Sequence, residues 1–168
     1  MKASRRPTTE VEPLEYKRRQ YGYLTIGALL VIVAILVGVI FTTVDPGGRI
    51  VLNILVTAFS LIGLLFMSLT VIVEPSFVKL SFGVGLIRRT IPMARIESAL
   101  PVRNSWWYGL GIRLTPHGWM WNIQGLNAVE LTYTDGGRFR IGTPDPEGLS
   151  SAINESPAPA RDNLFTQH

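Results

Sequence analysis

The chain has 168 residues, 47% of them apolar, with 16 Lys and Arg against 12 Asp and Glu and a net charge of +4. Zero cysteines exclude disulfides, thiolate metal sites and cysteine nucleophiles. A basic excess this small, gathered mostly before residue 20, is not a nucleic-acid signature, and two long uncharged runs leave room for only one small folded domain and short tails.

Residues 1–20 mix Arg, Pro, Thr and Glu without apolar periodicity and are expected to form a disordered tail. The uncharged runs Tyr23 to Val44 and Ile50 to Val73 follow, joined by Asp45-Pro46-Gly47-Gly48-Arg49, and predict a transmembrane hairpin over 21–68. A hydrocarbon core of about 30 Å needs roughly 20 apolar residues, and both runs reach that length. The first is too long for a signal-peptide core and ends without a small-x-small cleavage pattern, so it is expected to be retained. Lys2, Arg5, Arg6, Lys17, Arg18 and Arg19 precede it, Arg49 stands alone in the link, and Lys79, Arg88, Arg89 and Arg95 follow. That bias predicts the cytoplasmic (inner) membrane with both termini in the cytoplasm. Lys17, Arg18 and Arg19 fall where anionic headgroups would lie and are candidate membrane-interface residues, with topology as their expected job. The short link forces antiparallel helices, with Asn53 set to hydrogen-bond Thr42 or Thr43 across the pair and Ala34-x-x-x-Gly38 as the close-packing signal.

Past Met67 or Ser68 the texture changes to alternating β-branched residues. Strands are predicted at Leu69–Val73, Phe77–Phe82 and Leu86–Ile91 about a Gly83-Val84-Gly85 turn, then at Ile96–Val102, Gly111–Leu114, Trp119–Ile123, Ala128–Thr134 and Arg138–Thr143. For the last pair, a three-residue loop at Asp135-Gly136-Gly137 opposes Tyr133 to Phe139 and Leu131 to Ile141 and sets Thr132 beside Arg140 on the wet face. Asp145 then caps a short helix with Pro146 at its first position and Leu149, Ala152 and Ile153 on one face. The β domain is expected to span 69–155, and 156–168 to be a disordered tail.

The strings FGVGLIRRTIPMARIESALPVRN, WWYGLGIRLTPHGWMWNIQGLNAVEL and GGRFRIGTPDPEGLSSAI resemble successive blocks of the bacterial PH-like domain family of small membrane proteins. The resemblance covers about half the chain. It implies an α+β membrane protein: a two-helix hairpin, then a PH-like bent antiparallel β-sheet, closed like a small barrel and plugged by a C-terminal helix. Eukaryotic PH domains often bind phosphoinositides through basic residues in their first hairpin loop. The corresponding Glu74-Pro75-Ser76 is short and acidic, so that role is not carried over.

All 4 tryptophans lie between Trp106 and Trp121. Trp119 and Trp121 alternate and are expected in the β core. Trp106, Trp107 and Tyr108 are candidates for the membrane interface, where indole and phenol rings settle, with one of the two adjacent tryptophans exposed. Arg88, Arg89, Arg95, Arg103 and Arg113 are candidates for a surface that meets a partner or anionic lipid, against the plainer expectation that each is solvated or paired with Glu97, Glu130 or Asp135. His117 sits in a Thr-Pro-His-Gly turn. No catalytic triad, metal spacing or dinucleotide loop is assembled, so no catalytic, metal or cofactor-binding residue is assigned. The expected function is a non-catalytic, membrane-anchored binding or scaffold protein with no cofactor. Its expected partner is a protein, a second copy of the chain included; the alternatives are anionic lipid and, less favoured, an accessory role in a membrane enzyme.

Overall fold

In the computed structural model, which describes residues 16–43 and 45–156, the first described element is a strand. β1 (Tyr16–Tyr21) pairs antiparallel with β2 (Ser68–Glu74), opposing Tyr16 to Val73 and Tyr21 to Ser68. The expected tail is thus corrected over 16–20. Its sequence YKRRQY carries no apolar alternation, and the strand is fastened instead by polar side chains reaching across the domain. The Tyr16 hydroxyl and Arg18 both donate to Asp145, and the Gln20 amide donates to the Gly142 carbonyl. The rest of the expected tails, 1–15 and 157–168, lies outside the described residues.

A single residue, Gly22, separates β1 from α1 (Tyr23–Thr42), and a single residue, Met67, separates α2 (Pro46–Phe66) from β2. α2 begins inside the expected link: Pro46 takes its first position and Asp45 Oδ2 accepts from the Gly48 N–H at 2.6 Å, so the residues expected as a turn form the first turn of the helix. Both helices are long and apolar enough to cross a membrane, and neither buries a residue within the chain. The expected cross-helix bond of Asn53 is not made. Asn53 donates to the Arg49 carbonyl, and Thr42 and Thr43 both donate to the Val39 carbonyl, because a carbonyl three or four residues back is always within reach. Close packing falls at Gly63 against Leu29, while Gly38 faces open space.

Two sheets follow. β1, β2, β3 (Phe77–Phe82) and β4 (Ile87–Pro92) form one in sequence order. The other contains β5 (Ile96–Arg103), β6 (Gly111–Thr115), β7 (Gly118–Asn122), β8 (Asn127–Tyr133) and β9 (Arg138–Gly142), in the order β5-β8-β9-β7-β6. The barrel-like closure implied by the family resemblance is absent: the sheets are separate, and β7 runs parallel to β9 because the β8–β9 hairpin inserts β9 beside it. The β8–β9 register also differs from expectation by two residues. Leu131 opposes Phe139 and Val129 opposes Ile141, so the loop is Thr134-Asp135-Gly136. Gly136 takes the left-handed position at φ 79°, and Asp135 Oδ1 accepts from the Gly137 N–H at 2.9 Å. A slip of two preserves which side chains share a face, and so escapes a test based on facing alone.

The inner faces meet in one core. Leu69, Val71, Val73, Val78, Leu80 and Phe82 face Val129, Leu131, Phe139 and Ile141, and Leu149 and Ile153 of α3 (Pro146–Asn154) complete it. Asn154 brackets Ala99 of edge strand β5, accepting from its N–H at 3.0 Å and donating to its carbonyl at 2.8 Å. A chain of aromatic rings, Phe66 to Phe82 at 5.3 Å, Phe82 to Trp121 at 5.1 Å and Trp121 to Phe139 at 6.2 Å, leads from the end of α2 to the middle of the core.

The β3–β4 turn abuts the helices. Gly83 has φ 49°, and a Cβ there would collide with the Leu64 and Leu65 carbonyls. Gly83→Ala is expected to lose roughly 2 kcal/mol or more, through backbone strain and displacement of the turn. Gly38→Ala, with open space and a helical backbone, is expected to be neutral or to gain up to about 1 kcal/mol. Thermal unfolding of the full chain in detergent measures both.

Candidate functional site

The two junctions define one end of the β domain. The Gly22 N–H donates to the Met67 carbonyl at 3.0 Å, which ties the two crossings together. The β7–β8 connection presses on them from the other sheet: a Cβ at Gly22 would lie 2.8 Å from Ile123 Cγ1, and the Tyr23 N–H donates to Gln124 Oε1 at 3.2 Å. At this helix-proximal end lie three features: a polar cleft, a tryptophan-bearing turn and an apolar hairpin tip.

The cleft, of about 370 Å³, runs beside edge strand β1 and is lined by Arg19, Tyr21, Tyr23, Gln124, Asn127 and Thr143 among others. Arg19 donates through Nε and NH2 to Ser68 Oγ at 3.3 and 3.1 Å and sits 5.1 Å from the centre of the Tyr21 ring. No carboxylate lines the cleft among the described residues. Lys17 and Arg19 are exposed on the outer face of the β1–β2 pair, whereas Arg18 lies on the opposite face and ion-pairs with Asp145 at 3.4 Å. The three basic candidates are therefore separated by strand alternation.

Trp106, Trp107 and Tyr108 form a single 3-10 turn rather than a strand, and this overturns the expectation that one tryptophan points inward. Trp106 is 64% exposed and Trp107 is 75% exposed, their rings stacked at 3.6 Å. Trp106 and Leu110 share a cleft with Leu24 of α1. Tyr108 turns the other way, toward His117 at 6.2 Å and the Arg140 guanidinium at 6.0 Å. Trp121 is in the core, but Trp119, expected beside it, is 48% exposed. It pairs with Leu114 on edge strand β6, which is itself 69% exposed, and among the described residues no further strand covers it.

The arginine candidates divide in the same way. Arg88 folds onto the Gly85 carbonyl and Arg113 donates to the Leu110 carbonyl at 2.8 Å, both at the helix-proximal end, where exposed Arg103 also lies, opposite Asn127. Arg95 is at the far end, bridged to Asp135 at 3.0 Å. The N–H of Gly137 and then Arg95 hold the Asp135 carboxyl below the usual carboxylate range. Arg89 faces inward. It is half-buried between the sheets, 4.4 Å from the centre of the Phe139 ring and near the Tyr133 hydroxyl, whose pKa burial pushes up against the opposing charge of Arg89.

Two groupings are invisible to local sequence patterns. Arg140, expected on a wet face, is buried and donates to Glu130 at 2.7 Å and to Asn104 Oδ1 at 3.1 Å. It lies on the face away from the core, but the 104–110 connection, carrying the chain from β5 at one edge of the sheet to β6 at the other, lays Asn104 and Tyr108 over it. The second grouping is Val84 and Leu86, exposed at the tip of the β3–β4 turn. Among the described residues, no group of three or more His, Cys, Asp or Glu is placed to hold a metal ion.

Comparison with known protein families, curated proteins and solved structures found no match.

Removing one partner of the buried Arg140–Glu130 pair is expected to cost more than removing both. Arg140→Met should lose about 3 kcal/mol, and Arg140→Met with Glu130→Met markedly less. Unfolding of the two variants beside the native chain measures the difference.

Proposed function

We propose that this is an integral protein of the cytoplasmic membrane, with both termini in the cytoplasm, which presents a PH-like β domain to a protein partner and acts by binding. The membrane reading is supported by the two helices, whose apolar side chains, Leu24 and Phe41 among them, are left uncovered by the other described residues. Orientation follows from the Lys and Arg on the terminal sides of both spans. The PH-like reading rests on the sequence blocks and on a β domain closed by a C-terminal helix.

The observation that carries partner binding is the exposed cross-strand pair Leu114–Trp119. It lies on the inward-facing side of an edge strand, three residues along β6 from the helix-proximal end, where an incoming chain can use both the unpaired β6 backbone and an apolar contact. The anchor confines the domain to a surface and raises its effective concentration toward other membrane proteins. A photo-crosslinking residue at position 114 in intact cells is expected to give one discrete protein adduct, lost with Trp119→Ser. Diffuse labelling, or an adduct indifferent to Trp119→Ser, would count against this surface.

A second reading, recognition of anionic lipid, is favoured by the Arg19 cleft, which stands at the level where α1 begins. Arg19 is held by two hydrogen bonds to a buried serine, and so meets a phosphate oxygen with little ordering cost. The full chain in mixed zwitterionic and phosphatidylglycerol bilayers is expected to retain phosphatidylglycerol on purification, at least several-fold less so as Arg19→Gln, with Lys17→Gln nearly unchanged. Equal losses from both variants would reduce the cleft to general surface charge.

A further inference from the structure

We propose that the β domain rests on the bilayer on two apolar feet, the β3–β4 turn with Val84 and Leu86 and the 106–110 segment with Trp106 and Trp107, and that lipid covers both. This inference rests on the membrane reading above, which it extends from the helices to the orientation of the domain.

Depth decides the occupant. α1 has 20 residues and α2 has 21. At about 1.5 Å per residue they span about 30 Å, so neither has slack to rise out of the hydrocarbon. Groups that touch the helices inside their ends therefore lie at or below the headgroup boundary. The β3–β4 turn does so, because Gly83 is seated against the Leu64 and Leu65 carbonyls, within the last turn of α2. The second foot does so at α1, where Trp106 and Leu110 share a cleft of about 240 Å³ with Leu24. Leu110 and Ile112 overhang the helices further, sharing a cleft of about 380 Å³ with Leu29 and Ile62. One foot touches α2 and the other α1, so the domain is supported on two sides and cannot tip about the junction without lifting one of them.

The side chains fit that place. Val84 is 64% exposed and Leu86 is 76% exposed, a cost in water for a turn of four residues; the stacked indoles of Trp106 and Trp107 are the groups that settle best at a membrane interface. Each foot carries an arginine at its base, Arg88 folded onto the Gly85 carbonyl and Arg113 onto the Leu110 carbonyl. An apolar tip below a guanidinium matches acyl chains below phosphates.

The native chain has 0 cysteines, so single labels can be placed without background. Val84→Cys, Leu86→Cys, Trp107→Cys and, as control, Leu114→Cys of the full chain are labelled with an environment-sensitive fluorophore. Each is reconstituted in phosphatidylcholine and phosphatidylglycerol vesicles containing lipids brominated on the acyl chains. Labels at 84, 86 and 107 are expected to emit at shorter wavelength and to be quenched at least twofold more than the label at 114. Alkaline carbonate extraction is run on the same vesicles. A chain that stays inserted, with 84, 86 and 107 quenched no more than 114, overturns the feet alone, whereas a chain washed into the supernatant overturns the membrane reading beneath them.

Discussion

The structure depends on two one-residue junctions. At Gly22 and Met67 a pair of adjacent antiparallel strands becomes a pair of adjacent helices without a linker, and the bond between those two residues closes the seam. Flexible tethers let a domain wander over a wide volume. Here any swing of the helices relative to the domain must break the β1–β2 ladder at its last rung, Tyr21 opposite Ser68, or pull Phe66 away from Phe82. The ring series from Phe66 to Phe139 extends that restraint into the domain interior. Helices and domain are joined as one body because the residues flanking the junctions, Phe66 on one side and Ser68 and Leu69 on the other, pack against or within the domain.

This continuity assigns different work to side chains of one kind. Arginines at the ends of the molecule stay wet or bridge to a carboxylate, as Arg95 does. Arg89 and Arg140 lie inside, one above an aromatic ring and one hydrogen-bonded to Glu130 and Asn104. A guanidinium taken wholly or partly out of water is tolerated where its donors or its face find a partner, as those of buried Arg140 and half-buried Arg89 do. Position along a strand, not residue type, separates the arginines that can meet a ligand from those that hold the sheets together.

Much of the architecture was legible in local patterns. The first helix span, the Asp145 cap and the strand periods each depend on residues a few places apart, and the structure reproduces them within one or two residues, while α2 starts four residues before its uncharged run because Asp45 caps it and Pro46 begins it. The failures have a common cause in contacts distant along the chain. β1 has no apolar alternation, because its partners Asp145 and Gly142 are more than 120 residues away. Nothing local to Arg140 indicates that the 104–110 connection passes over it, and nothing local to Trp119 indicates that β6 is an edge. The two-residue slip in the β8–β9 loop is of another kind: facing alone cannot distinguish registers that differ by an even number, and Gly136 at φ 79° decides it. Of the candidate site, the tryptophans and basic residues were visible in the sequence, but their sorting into a helix-proximal set was not.

A β domain held rigidly on two apolar helices keeps each surface at a fixed height along them, which under the proposed membrane reading separates what can touch lipid from what can touch a partner. The claim beneath this is that helices and β domain move as one. Pulsed electron–electron resonance between spin labels at Thr43→Cys, at the outer end of α1, and Asp135→Cys, at the far tip of the β domain, tests it most directly in reconstituted bilayers. A single narrow distance distribution is the expected result. A broad one, as a hinge at Gly22 and Met67 would give, contradicts the account.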